Sequence, residues 1–243
     1  MGVGSFDYGH WDRIADDQSH SQVFRNGDGK PVFGIDIDGT LGDYHGHFLQ
    51  FAEGYFGRPF PSPDEINPGR RLSEFMEIDH RDYRDCKLAY RQGGLKRTMP
   101  AYLGAADLTR LLRSVGAEVW ICTTRPYLRL DNIDPDTREW LRRNDIEYDA
   151  VIFDDPYEDE ITGKYAELIR QVGLDRIVAV VDDLAPQLQD AKSFGIKNLY
   201  LRAQPYNGKG VNTDGLTRIG SLGVIEAKML QNLHDWRHAP KDA

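Results

Sequence analysis

The sequence predicts an α/β fold, a doubly wound parallel sheet with a small helical cap inserted after its first strand. Two patterns carry that expectation. Short apolar runs recur and stop abruptly at an acidic or hydroxyl residue: the run in PVFGIDIDGT stops at Asp36, Val119 to Cys122 at Thr123, Ala150 to Phe153 at Asp154, and Ile177 to Val181 at Asp182. Amphipathic stretches lie between them, at Ala105 to Val115, Asp136 to Asn144, Ile161 to Val172 and Pro186 to Phe194. Runs this short and this apolar suit strands buried on both faces. Strands alternating with helices then give right-handed βαβ units and a parallel sheet.

Taken in order, residues 1–30 show no sustained period and end in the turn-rich NGDGK, which reads as a loose leader. The core is expected over 31–41 and 99–205, with a fifth apolar run in KNLYLRAQP. Residues 42–98 interrupt the alternation with helix-like segments (His47 to Tyr55, Arg81 to Arg91), a Pro-rich joint and many aromatics. They read as a helical cap above the carboxyl edge of the sheet, a lid able to exclude water from the site. Its aromatics Phe48, Phe51, Tyr55, Phe56 and Phe75 recur at helical spacing and read mainly as core. The C-terminal extension, 206–243, ends in a helix from Leu222 to Trp236 that either the core or a second copy could take up.

Composition narrows the function. The chain carries 39 acidic against 30 basic residues, a net charge of −9, which argues against non-specific grip on a nucleic-acid backbone. A local cation can still draw a small phosphorylated substrate into one pocket. No apolar run reaches bilayer length and the N-terminus is too polar for a secretory signal, so no membrane partner is expected. Cys86 in a charged stretch and Cys122 in an apolar one do not form a disulfide pattern, and a reducing cytoplasm is the expected compartment.

The strand ends carry the chemistry. In an open parallel sheet, ligands sit outside the carboxyl ends of the strands, near the point where strand order reverses. Asp36, Asp38, Thr123, Asp182 and Asp183 should converge there, with Lys164 at the start of the helix before the Asp182 strand. Hard oxygen ligands suit Mg²⁺: carboxylates of Asp36 and Asp183, the backbone carbonyl of Asp38, and Asp182 in a ligating or orienting place. A carboxylate oxygen of Asp36 can also attack phosphorus, while Asp38 protonates the leaving oxygen and later takes a proton from water. Thr123 and Lys164 would hold the phosphoryl oxygens. Arg125 is open to a substrate anion or to an acidic neighbour. Asp154 and Asp155 also end a strand, where solvation or helix capping suffices to explain them. His45 and His47 lack a third nitrogen or sulfur ligand and read as solvated positions at the mouth of the cap.

DIDGTL, Asp36 to Leu41, resembles the first motif of the haloacid dehalogenase superfamily. Thr123, Lys164 and the Asp182-Asp183 pair follow in the order and context of its second, third and fourth motifs. The likeness covers roughly residues 32 to 203. It implies a Rossmann-like core, Mg²⁺ and hydrolysis of a phosphomonoester through an aspartyl-phosphate. DIDGTLGDY most resembles the 5′-nucleotidase and deoxyribonucleotidase group, in which an aromatic at the place of Tyr44 stacks on the nucleobase. Thr40 and the TTRP segment after Cys122 depart from that group's usual residues. Two other readings stand beside a nucleotide substrate. One is a phosphatase for another metabolite or for a nucleic-acid terminal phosphate, served by Arg70-Arg71 or Lys96-Arg97. The other is a non-catalytic phosphate-binding protein on the same fold.

Overall fold

The computed structural model describes residues 29–66, 68–69, 72–126, 130–154 and 163–239, so the leader up to residue 28, Arg70-Arg71 and Asp155 fall outside the described residues. Six strands form one sheet: β1 (Val32–Ile35), β2 (Glu118–Thr123), β3 (Ala150–Phe153), β4 (Ile177–Asp182), β5 (Leu199–Arg202) and β6 (Thr217–Ile219). Their order is β3-β2-β1-β4-β5-β6, and every pairing is parallel. The chain therefore winds outward in one direction from β1 and in the other from β4. The reversal point, where ligands bind in such sheets, lies between those two strands.

The described residues form eight α-helices: α1 (Tyr44–Phe56), α2 (Leu72–Phe75), α3 (His80–Gln92), α4 (Ala105–Ser114), α5 (Ile133–Arg143), α6 (Lys164–Val172), α7 (Ala185–Ser193) and α8 (Leu222–His238). Alternate strand residues face opposite layers. Phe33, Ile35, Val119, Ile121 and Val181 join the cluster that includes α4, α5 and α8, while Val32, Trp120, Cys122 and Val180 join the one with α6 and α7. Helix α8 lies against α4 and β4, and β6 pairs with β5, so the chain beyond residue 205 adds both a strand and a covering helix. Strand β6 is not legible as an apolar run because Thr217 and Arg218 are exposed and Ile219 alone is buried.

Gly34 sets the height of α6 over the sheet. A Cβ there would fall 2.8 Å from Leu168 Cδ2 and 2.9 Å from Val180 Cγ1, so only glycine lets the helix settle this close. Lys164 is four residues before Leu168, on the same face of α6. Seating Leu168 on Gly34 thus aims Lys164 at the end of β1.

Between β1 and β2 the described elements are helices and short turns. Helix α1 begins at Tyr44, three residues before the apolar pattern starts, because Asp43 caps it by accepting from Gly46 N at 3.0 Å. Its far end stops at Gly57 in the left-handed region. The return from α3 is bolted to α5: Asn132 Nδ2 donates to Arg91 O at 2.7 Å, Arg97 pairs with Asp136 at 3.2 Å, and Trp140 Nε1 donates to Met99 O at 2.6 Å. Trp140 is fully buried beneath this joint. Trp140→Ala should therefore lower stability by about 3–5 kcal/mol, read by denaturant melts. Trp140→Phe, which keeps an aromatic ring, though a smaller one, and loses the N–H, should cost less, about 1–3 kcal/mol.

No helix among the described residues is long and apolar enough to cross a membrane. Both cysteines are free and buried.

Candidate active site

Three of the four strand ends named by the sequence meet at the reversal point. Asp36 directly follows β1, Thr123 closes β2 and Asp182 closes β4, with Asp183 next; all four are buried. The backbone leaves β1 in a tight loop in which Leu41 N and Gly42 N both donate to Ile37 O at 2.9 Å. Gly39 takes a φ of +88° there, and a side chain at that position would collide with the Asp183 carboxylate.

Three carboxylates, from Asp36, Asp182 and Asp183, each place an oxygen within 4.8 Å of the others. Lys164 Nζ reaches two of them, Asp36 Oδ1 at 2.5 Å and Asp182 Oδ2 at 2.7 Å. Asp182 is otherwise fully engaged: Tyr165 donates to Oδ2 at 2.8 Å and Leu184 N to Oδ1 at 2.9 Å. Asp183 is held on Oδ2 by the Tyr206 hydroxyl, while its Oδ1 is buried with no partner. Burial pushes the Asp36 carboxyl up, Lys164 pulls it down and the Asp182 charge pushes it up again. Burial and the charges of Asp36 and Asp182 push Asp183 well above the carboxylate range. Three clustered carboxylates whose charges raise Asp36 and Asp183, with one oxygen left orphaned among them, fit a divalent cation. Asp36 and Asp183 offer free oxygens to it, and Asp182 is placed to orient its neighbours.

Asp38 faces a different environment. Arg125 donates to Oδ1 at 2.6 Å and to Oδ2 at 3.3 Å, and Lys96 also pairs with Oδ2. Burial alone would raise this carboxyl, but Arg125 and then Lys96 override it and hold it well below the usual range. Arg125 is itself buried and donates to Thr137 Oγ1 at 2.9 Å. Of its two open roles, the structure takes the acidic neighbour. Lys96, pulled down to about 7 by burial against the opposing pull of Asp38, is the main residue the sequence did not place in the site. It stands 58 positions from Asp38, in the turn that α5 anchors, and no local motif marks it.

Tyr44 is placed otherwise than the base-stacking role implied. Its ring lies 21° from that of Phe48 at 5.7 Å, the Lys96 ammonium sits 4.0 Å over it, and 9% of the residue is exposed. A base would have to displace Lys96 to stack on it. The two histidines diverge, His47 to the Tyr90 hydroxyl at 2.8 Å and His45 to the Tyr206 ring at 4.3 Å. Lys96 and Arg97 do not form a basic strip, since one is buried on Asp38 and the other pairs with Asp136. A cavity of about 240 Å³ opens beside the site, lined by Asp43, His45, Asp64, Tyr102, Gln204 and Tyr206 among others.

This is the haloacid dehalogenase fold. Solved structures that share it include a haloacid dehalogenase-like hydrolase of Streptococcus pneumoniae (TM-score 0.57, 14% identity, 82% of this chain and 98% of that one). A predicted phosphoglycolate phosphatase of Haemophilus somnus matches at a TM-score of 0.58 and 15% identity over 83% of this chain and 98% of that one. The D,D-heptose 1,7-bisphosphate phosphatase of B. bronchiseptica, solved with magnesium and phosphate, matches at 0.52 and 16% over 83% and 98%. Among curated proteins, the "Putative 5'(3')-deoxyribonucleotidase" of Chlorobaculum tepidum is 31% identical over 126 residues. That alignment spans 50% of this chain and 61% of its relative. No protein-family model matches the chain.

Proposed function

We propose that the protein is a magnesium-dependent phosphomonoester hydrolase that works through an aspartyl-phosphate on Asp36, with nucleoside or deoxynucleoside 5′-monophosphates as substrates. One observation carries the reaction type: Asp36 sits buried at the reversal point, one oxygen held by Lys164, beside the orphaned oxygen of Asp183. Asp36, Asp183 and the carbonyl of Asp38 would hold the cation, which would offset charge building on the phosphoryl oxygens.

The chain's own residues then divide the work. Lys164 pulls the Asp36 carboxyl toward its ionised form against burial and orients it for attack, and with Thr123 binds the phosphoryl oxygens. Asp38 handles protons at the leaving oxygen and at the attacking water. Lys96 and Arg125 hold it ionised before substrate arrives, the form that can take the proton of water. A phosphate dianion entering beside Asp38 competes for both cations, which releases the carboxyl toward its protonated, donating form.

The nucleotide reading is supported by the Chlorobaculum tepidum relative's name and by the cavity beside the site. The base would lie there against His45, Tyr102 and Tyr206 and not on Tyr44. A phosphate-release screen tests both levels, with Mg²⁺ and with chelator. Nucleoside monophosphates should exceed base-free phosphate esters in kcat/KM by about tenfold or more, given stacking worth roughly 1–3 kcal/mol. Equal rates would remove the nucleotide assignment and leave the phosphatase. Release no greater with Mg²⁺ than with chelator, on every ester, would remove both and favour a non-catalytic phosphate-binding protein.

A further inference from the structure

We infer that Tyr206 is a positioning residue for the cation site, holding Asp183 so that its second oxygen faces the metal. The inference rests on reading the acidic cluster as a divalent-cation site and adds a residue from beyond β5, outside every strand-end motif. The Tyr206 hydroxyl donates to Asp183 Oδ2, and the other oxygen, buried, has no partner. A carboxylate free to rotate presents either oxygen in many directions; one fixed through Oδ2 presents Oδ1 in a single direction.

The tyrosine is itself fixed from several sides. The neighbouring Asn207 donates to the backbone carbonyls of Asp183 and Arg202, each at 2.7 Å, tying this turn to the very residue whose side chain Tyr206 holds. Asn207 Oδ1 accepts from Gln204 N at 2.9 Å and from Arg218 Nε at 3.2 Å. Gly69 N donates to Tyr206 O at 3.0 Å, and the His45 ring leans on the phenol at 4.3 Å. Gly39 closes the remaining side, since a Cβ there would strike both Asp183 Oδ2 and the Tyr206 hydroxyl. The first-motif loop, the fourth-motif carboxylate and the turn after β5 thus meet in one packed contact.

Outer partners of metal ligands are worth roughly 10- to 100-fold in metal affinity. The test is Mn²⁺ binding to the full chain, read by electron paramagnetic resonance without substrate. Tyr206→Phe keeps the ring and its packing on His45, and should weaken Kd by about 10- to 100-fold. Tyr200→Phe removes a hydroxyl that meets Asn232 and none from Asp183, and should stay within about twofold of the parent. Tyr206→Leu, which loses the ring as well as the hydroxyl, should lose no more affinity than Tyr206→Phe. Tyr206→Phe binding within about twofold of the parent, with Asp183→Asn binding lost, would overturn the role of Tyr206 alone. A loss in Tyr206→Leu well beyond that in Tyr206→Phe would mark a packing role and overturn it too. Unchanged binding by Asp183→Asn would overturn the cation site itself.

Discussion

Asp36→Asn should abolish turnover while leaving the fold in place. The amide is nearly the same size as the carboxylate, so packing at this buried position is kept. Lys164 does not lose its counter-charge either, because Asp182 remains 2.7 Å away. What disappears is the oxygen nucleophile, together with one ligand of the proposed cation site, and no second carboxylate can replace it. Asp182 is fully hydrogen-bonded, Asp38 is clamped between Arg125 and Lys96, and the one open oxygen of Asp183 is taken up by the proposed cation. Loss of kcat by at least about 10³-fold is expected, with no acid-stable phosphoryl label on the variant chain. Circular dichroism should show parental helix content and a melting temperature within a few degrees. A folded variant that keeps more than a few per cent of activity would reject Asp36 as the nucleophile.

The parallel core was legible because its strands are buried on both faces. Such strands read as apolar runs, and the residues that end them, Asp36, Thr123 and Asp182, sit at the edge where the sheet reverses. Lys164 was legible for a similar reason, as the first residue of the helix that Gly34 lets settle on β1. Other parts of the site depend on contacts between distant segments. Lys96 reaches Asp38 only because Asn132, Asp136 and Trp140 of the α5 region anchor the turn that carries it. Tyr206 reaches Asp183 only because Asn207 pins the chain after β5 to the end of β4. For Arg125 and Tyr44 the position was legible and the direction was not. An arginine after a strand can face substrate or turn inward, and two partners, half-buried Asp38 and buried Thr137, turn this one inward. Tyr44 follows the catalytic loop as the nucleotidase resemblance requires, yet Asp43 starts α1 there and puts the ring against Phe48 on the next turn. Strand β6, with one buried residue, offered too little pattern to be read at all.

Lys164→Met should be the most destabilising single change at the site when no divalent ion is present. The side chain fits a methionine in length, so the loss is one of charge. Lys164 is the only cation among the described residues that pairs directly with Asp36 or Asp182, and it is itself 1% exposed. Taking one partner from a buried ion pair leaves the other without compensation, at a cost of about 3–5 kcal/mol. For a chain of this size that corresponds to a fall in Tm of roughly 6–20 °C. The pH dependence follows from the direction of the shift. Burial already pushes the Asp36 carboxyl from 3.8 to about 7 with Lys164 pulling against it, so removing Lys164 pushes it further. A carboxyl whose folded pKa is raised binds its proton more readily folded than unfolded, so stability falls as pH rises from its unfolded value to its folded one. Without metal, the parent should lose stability across pH 4 to 7, and Lys164→Met should go on losing it above 7. Mg²⁺ should then raise the Tm of the variant by more than that of the parent, because the added cation meets carboxylates that no longer have a lysine between them. Melts in chelator and in Mg²⁺, at pH 5 and pH 8, test the argument. A metal-free variant that melts within about 2 °C of the parent at pH 8 would show that Lys164 does not compensate these charges.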